Sequence, residues 1–246
     1  MLSVVVPTMW QFDPFCDFLE DLVQLPIIDE VIVINNLVEL TPDHPALKHP
    51  KVQMHNMPEN IYCNPSWNLG AKLAKNEKIC FLGDDVLVDL RIFKRVHDHM
   101  MPEHGLTGIR ITKEVYDLHF IHSPQHEKIK DLTKLLVTGN FRIRPWVGIE
   151  YNLGWGALFF INKSNWIDIH PELLIMYGDS WVFNMQLEMG RMNYLVEDCF
   201  FYTPWNMTWK SDYVKNKVEL INKETHEFYF KCQNETLEKM RAQSRV

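Results

Sequence analysis

The stretch Lys78–Asp89 (KICFLGDDVLVD) constrains this chain more than any other. Ile79–Leu82 is a short, unbroken apolar run bounded by Lys78 and Gly83. A run of that length without polar alternation suits a strand covered on both faces, the central strand of a parallel sheet. It leads straight into two adjacent carboxylates, Asp84 and Asp85. Ligands in open α/β sheets bind beyond the carboxyl ends of such strands. Two acids held together there repel unless something positive lies between them, and a divalent metal is the usual partner. Asp84 and Asp85 are therefore a candidate metal and diphosphate site. The competing reading makes them solvated turn residues ahead of a helix capped by Asp89.

The surrounding pattern supports the sheet. Leu2–Val6 is a β-branched run that ends at Pro7-Thr8, and Glu30–Ile34 is a second one that ends at Asn35-Asn36. Between them Phe15–Gln24 repeats apolar residues at helical spacing until Pro26 stops it. After a polar, Pro-rich connection (Thr41–Pro50) come a short strand at Lys51–His55 and a helix at Asn68–Asn76. Strand–helix alternation predicts an α/β domain with a mostly parallel sheet flanked by helices. Beyond residue 105 the pattern loosens. Strands are expected at Gly105–Ile111, Gly154–Ile161 and Tyr194–Val196, a short helix from Asn165 to Ile169, a longer one over Asp179–Gly190, and a last one over Glu235–Ala242.

Composition narrows the class. At 246 residues the chain suits one domain with a C-terminal extension. A net charge of -7 argues against a generic nucleic-acid coat. Five cysteines without CxxC pairing or metal spacing fit reduced thiols better than a disulfide framework. No leader precedes the strand at Leu2 and no apolar run reaches the ~20 residues of a membrane span, so a soluble cytoplasmic protein is expected.

Four features in order resemble one family: SVVVPT (Ser3–Thr8), VIVINN (Val31–Asn36), NPSWNLGAKLAKNEKICFLGDDV (Asn64–Val86), and a Trp-Gly strand followed by Gly178-Asp179 and a helix. The chain resembles the sugar-nucleotide-dependent glycosyltransferases of the GT-A (Rossmann-like) fold, family 2 in particular. Their order and spacing together are the signal, since each motif is short. The resemblance implies a GT-A domain over residues 1–203, with a nucleotide-sugar half (1–100) and an acceptor half (101–203), then a C-terminal extension over 204–246.

It also implies roles. Pro7 and Thr8 would line the nucleotide site. Asn35 and Asn36 stand where the family usually has a base-contacting acid, and an amide still offers donor and acceptor to a uracil edge. Asn68 and Gly70 match the family's Asn-x-Gly beneath the donor, although helix capping and close packing explain the same residues. The family's first metal-site acid is replaced by Gly83. The metal role is thereby carried onto Asp85, with Asp84 supporting ribose or metal, and Mn²⁺ or Mg²⁺ as cofactor. No late histidine lies in Phe200–Lys210, where Asn206 is a substitute. Asp179, opening its helix, matches the family's catalytic base, and an ordinary helix-capping Asp is the alternative. Trp155 and Trp181 flank that strand and helix and are the candidate acceptor-stacking residues.

The expected activity is metal-dependent, inverting transfer of a hexosyl or pentosyl group from a nucleoside-diphosphate sugar, UDP-linked by preference, to an acceptor hydroxyl. Two acceptors fit. One is a surface glycan. The other is a hydroxymethylated pyrimidine in phage DNA, which the late tryptophans and Lys113, Lys128, Lys130, Lys134 and Arg142 between Arg110 and Arg144 allow and the acidic net charge weakens. Glu114, Asp117, Glu127 and Asp131 offset that basic stretch and favour solvated loop charge instead. A nucleotidyltransferase shares the architecture, but PTMWQFD (Pro7–Asp13) lacks the glycine and lysine its phosphate loop needs. A degenerate protein that only binds a sugar nucleotide is the remaining alternative.

Overall fold

The computed structural model describes residues 1–109, 141–146, 155–197, 199, 201–203, 225–232, 234–235 and 238. The first half follows the apolar runs. β1 (Leu2–Thr8), β2 (Ile28–Asn35), β3 (Val52–Asn56) and β4 (Lys78–Leu82) are joined through α1 (Pro14–Gln24) and α2 (Cys63–Leu73). β4 leads into the two-residue β5 (Leu87–Val88), α3 (Arg91–His99) and β6 (His104–Gly108). The second half adds β7 (Arg142–Trp146), β8 (Leu158–Asn162), α4 (Gly178–Glu188), β9 (Met192–Glu197) and β10 (Phe201–Tyr202).

One eight-stranded sheet runs β3-β2-β1-β4-β8-β6-β9-β7, and β5 pairs with β10 in a separate antiparallel ribbon. β1 sits between β2 and β4, parallel to both, which explains why it tolerates no polar alternation. Its side chains divide between two cores. Leu2, Val4 and Val6 join the core that contains the buried residues of α1 and α3, while Val5 joins the one that contains those of α2 and α4. Both faces are covered, as the run Ile79–Leu82 requires: Cys80 and Leu82 enter the first core, Ile79 and Phe81 the second.

The sheet departs from simple alternation at β8, which is antiparallel to both β4 and β6. It begins at Leu158, after a 3₁₀ turn at Trp155–Ala157. α2 starts five residues before the expected Asn68, because Pro65 falls in its first turn, where a missing N–H costs nothing. Lys163–Asn165 makes only a 3₁₀ turn in place of the short helix. β7 is an unanticipated edge strand beside β9. Residues 225–232 form a helix whose Phe228, Tyr229 and Phe230 pack on the second core. Most of the helix expected over Glu235–Ala242 lies outside the described residues. Among the described residues no helix is long and apolar enough to cross a membrane.

Candidate active site

The site forms where β1, β2 and β4 end, on the carboxyl side of the parallel strands. Thr8, the last residue of β1, donates its hydroxyl to Asp84 Oδ2 at 2.6 Å, and the Met9 amide donates to the same oxygen at 3.3 Å. The Pro7-Thr8 strand end and the diacid are thus one unit. Burial pushes the Asp84 carboxyl above its ordinary range, against the pull of these hydrogen bonds. Asp85 is raised to about 7, first by burial and then by the charge of Asp84. Thr203, placed by the β5–β10 ribbon, hydrogen-bonds Asp85 from the other side. Nothing in the local sequence around Thr203 marks it for this contact. Asn206, the residue proposed for the missing late ligand, lies outside the described residues.

This donor set fits a divalent cation. Burial raises both carboxyls, and the charge of Asp84 adds to the shift at Asp85, so a positive partner would favour their ionised forms. Gly83 keeps the turn tight, since a Cβ there would lie 3.1 Å from Asp85 Oδ1 and from Val86 Cγ2. Among the described residues the grouping of three His, Cys, Asp or Glu ligand atoms is Asp17, Glu20 and His44, which does not include the diacid. A cation at Asp85 would therefore fill its shell with diphosphate oxygens and water, as Mg²⁺ commonly does.

Asp179 is the second residue of α4, not its cap; Tyr177 occupies the cap position without a side-chain capping bond. Its Oδ2 accepts from the Gly156 amide at 2.9 Å. The neighbouring Ala157 carbonyl accepts from the Gly83 amide at 2.9 Å. One dipeptide thus bonds the diacid turn on one side and Asp179 on the other. Cys63, the first residue of α2, lies in the field of all three acids: burial pushes its thiol up, followed by Asp84, Asp179 and Asp85. The diacid and Asp179, far apart in the sequence, are thus both near Cys63.

The amides are placed differently. Asn35 is fully buried, and its amide is saturated. Its Oδ1 accepts from Trp10 Nε1 (2.8 Å) and the Leu37 amide (3.1 Å), while Nδ2 donates to Thr41 Oγ1 (2.7 Å) and Asn56 Oδ1 (2.8 Å). Asn36 donates to Ser66 Oγ at 3.0 Å and accepts from the Ile61 amide at 3.1 Å. Both asparagines brace the loops at the ends of β1 and β2, and the four bonds of Asn35 use all of its amide's donors and both acceptor positions. The half-buried residue in that neighbourhood is Trp10, which adopts a left-handed φ of 57°. A strained conformation of this kind cannot be read from a sequence.

Asn68 clasps the Ile169 peptide, donating to its carbonyl and accepting from its amide, both at 2.8 Å. Gly70 is a close approach, because a Cβ there would lie 2.1 Å from Val5 Cγ1. Gly70 thus lets α2 pack closely on β1, and Asn68 ties α2 to the segment that leads into α4. Trp181 follows Asp179 by two positions, a spacing that turns it to another face of the helix. It packs on the second core with His170, ring centroids 5.8 Å apart. The Trp155 side chain and residues 110–140 lie outside the description. Of the basic stretch, Arg142 and Arg144 are seen, and both pair with Glu197.

Sequence reasoning missed the groups that hold Asp179 in place. Asn64, fully buried, donates to the carbonyls of Leu173 (3.0 Å) and Met176 (3.2 Å). Tyr177 has φ 63° and ψ 5°, a left-handed conformation that costs an aromatic residue about 1–3 kcal/mol. Among the described residues Trp10, Tyr62 and Tyr177 are the non-glycine residues with positive φ, and they precede or flank the loops of this one site.

No known sequence family and no curated protein matches the chain. Solved structures do. TarS 1–349 of S. aureus superposes with a TM-score of 0.55 at 14% identity, over 91% of this chain and 64% of that one. The same protein in complex with UDP-GlcNAc gives 0.52 at 12% identity, over 91% and 66%. A mannosyltransferase from Pyrobaculum calidifontis, in complex with GDP-Man and Mn²⁺, gives 0.51 at 16% identity, over 78% and 53%. The chain spans about 64% of TarS 1–349 and 53% of the mannosyltransferase. With its parallel β3-β2-β1-β4 half and antiparallel β8, this is the GT-A fold of the glycosyltransferases.

Proposed function

We propose that the protein is an inverting glycosyltransferase that takes a sugar from a nucleoside diphosphate, UDP in the first instance, and passes it to an acceptor hydroxyl. The observation that carries this reading is the Gly156-Ala157 bridge, which ties Asp179 to the Asp84-Asp85 turn through two hydrogen bonds. Single displacement needs a base on the face of the sugar opposite the leaving group. In this reading Asp179 takes that role, supported by the backbone donor that orients it and by the N-terminus of α4, which favours its charge. Asp85 would hold Mn²⁺ or Mg²⁺, with Asp84, fixed by Thr8, supporting it or the ribose. Bound there, the cation would supply Lewis-acid stabilisation of the leaving diphosphate. Pro7, Thr8 and Trp10 form the nucleotide side of the site. The sugar-nucleotide complexes of TarS and of the Pyrobaculum mannosyltransferase are in line with such a donor.

A neutral glycan hydroxyl is the acceptor we favour over a hydroxymethylpyrimidine in DNA. The pairing of Arg142 and Arg144 with Glu197 draws charge from the stretch that DNA would need. The two acceptors separate by salt, since a polyanion displaces counterions and loses affinity steeply as ionic strength rises. The activity is tested with a panel of sugar nucleotides and Mn²⁺, reading nucleoside-diphosphate release, with Asp85→Ala alongside. Release with one donor that Asp85→Ala abolishes supports the reading and names the sugar. Binding without release points to a degenerate sugar-nucleotide binder, and absence of both removes the reading.

A further inference from the structure

The 225–232 helix packs where the candidate base is presented. Tyr229, 1% exposed, stacks on Tyr177 with ring centroids 4.3 Å apart and planes 6° from parallel. Asn184, in the body of α4, donates to the Tyr229 hydroxyl at 3.3 Å. The Tyr177 hydroxyl meets His226 Nδ1 at 2.7 Å, and Phe230 lies edge-on to the Tyr177 ring. The Phe228 ring lies tilted against His170, centroids 4.5 Å apart, and Thr225 Oγ1 donates to the Glu172 carbonyl at 3.4 Å, so the same helix braces the segment leading into α4. From the opposite side Asn64 holds the Leu173 and Met176 carbonyls. Gly178 is pressed on Asn64 so closely that a Cβ would lie 2.1 Å from its Oδ1.

Tyr177 is the hinge of this arrangement. It adopts a left-handed conformation that an aromatic residue does not choose, immediately before Gly178 and Asp179. Strain of this kind persists only where its surroundings enforce it. The enforcing contacts are the Tyr229 ring and His226. Releasing them lets Tyr177 relax to negative φ, which turns the first residues of α4 and carries the Asp179 carboxylate off the Gly156 amide. We infer that Tyr177, Tyr229 and His226 are positioning residues for Asp179, so that the C-terminal helix is a working part of the site. This inference rests on the proposed role of Asp179 for its meaning in catalysis, but not for its geometry.

The test therefore reads geometry and turnover separately. The Gly156 amide resonance follows the ionisation of Asp179 through their hydrogen bond, and Asp179→Asn identifies that titration by removing it. In Tyr229→Leu the amplitude of the Gly156 titration is expected to fall at least about twofold. Donor turnover is expected to fall about tenfold or more at unchanged donor affinity, because small displacements of a reacting group cost this much. Tyr229→Phe keeps the ring and is expected to stay near wild type in both. His226→Ala, at an exposed residue that leaves the core untouched, is expected to lower turnover about threefold with a smaller change in the same titration. A folded Tyr229→Leu with a wild-type Gly156 titration overturns the inference. So does Tyr229→Phe as impaired as the leucine variant, or His226→Ala with no effect on either readout. If wild-type protein turns over no donor, the proposed function fails while the amide titration still decides the positioning.

Discussion

Cation binding at the diacid should be strongly pH-dependent, in a range where ordinary carboxylates are silent. Burial and the charge of Asp84 raise Asp85 from 3.8 to about 7, and Asp84 is raised as well. At pH 6 a group of pKa about 7 is about nine-tenths protonated, and a protonated carboxyl must lose its proton to bind metal. The affinity for Mn²⁺ should therefore rise about tenfold per pH unit up to about 7 and level off above it. The sign for stability is the reverse. The unfolded carboxyl releases its proton near 3.8 while the folded one keeps it to about 7. Metal-free protein thus loses stability as pH rises through that window and loses no more above it. Three units at about 1.4 kcal/mol each set a ceiling of about 4 kcal/mol, which solvent at a half-buried pair reduces. Calorimetric titration with Mn²⁺ alone at pH 5.5, 6.5, 7.5 and 8.5, beside urea unfolding in chelator at the same values, measures both. Equal Mn²⁺ affinity at pH 5.5 and 7.5 would refute the reasoning, because it would mean that the two acids ionise independently and in water.

Other consequences follow from packing. Gly70→Ala forces a methyl onto Val5 and should cost about 1–3 kcal/mol in urea unfolding, partly recovered by adding Val5→Ala; a wild-type midpoint would show that α2 moves freely over β1. Asn35→Asp, which restores the acid usual in the resembled family, should destabilise by about 1–3 kcal/mol because the Thr41 and Asn56 oxygens lose their donor. Improved uridine-nucleotide affinity at unchanged stability in that variant would return the base-reading role to residue 35. Asn64→Ala frees the Leu173 and Met176 carbonyls in a buried setting and should cost about 1–3 kcal/mol, read as a lower thermal midpoint.

The parts of the fold that were legible in the sequence are those written as uninterrupted burial. β1, β2 and β4 are central strands covered on both faces, so their composition alone marks them. The direction of β8 leaves no such mark, since Leu158–Ile161 is equally apolar whichever way it runs. The helix at 225–232 was hidden because Phe228, Tyr229 and Phe230 are consecutive and show no helical period. In the site, carboxylates at element ends could be read: Asp84 and Asp85 after a strand, Asp179 at the start of a helix. What those carboxylates lean on could not. The Gly156 amide, the positive φ of Tyr177 and the saturation of Asn35 are backbone and network properties that depend on residues far apart in the chain.

In the proposed mechanism Asp179 takes the proton of the attacking hydroxyl or water while the sugar nucleotide is held at the diacid. The most direct test of that role compares wild type with Asp179→Asn for donor affinity by calorimetry and for nucleoside-diphosphate release under saturating donor and Mn²⁺. Loss of a general base costs about 10²–10⁴ in rate and leaves ground-state binding alone, so release should fall by that factor at unchanged affinity. Release by Asp179→Asn at the wild-type rate would contradict the account.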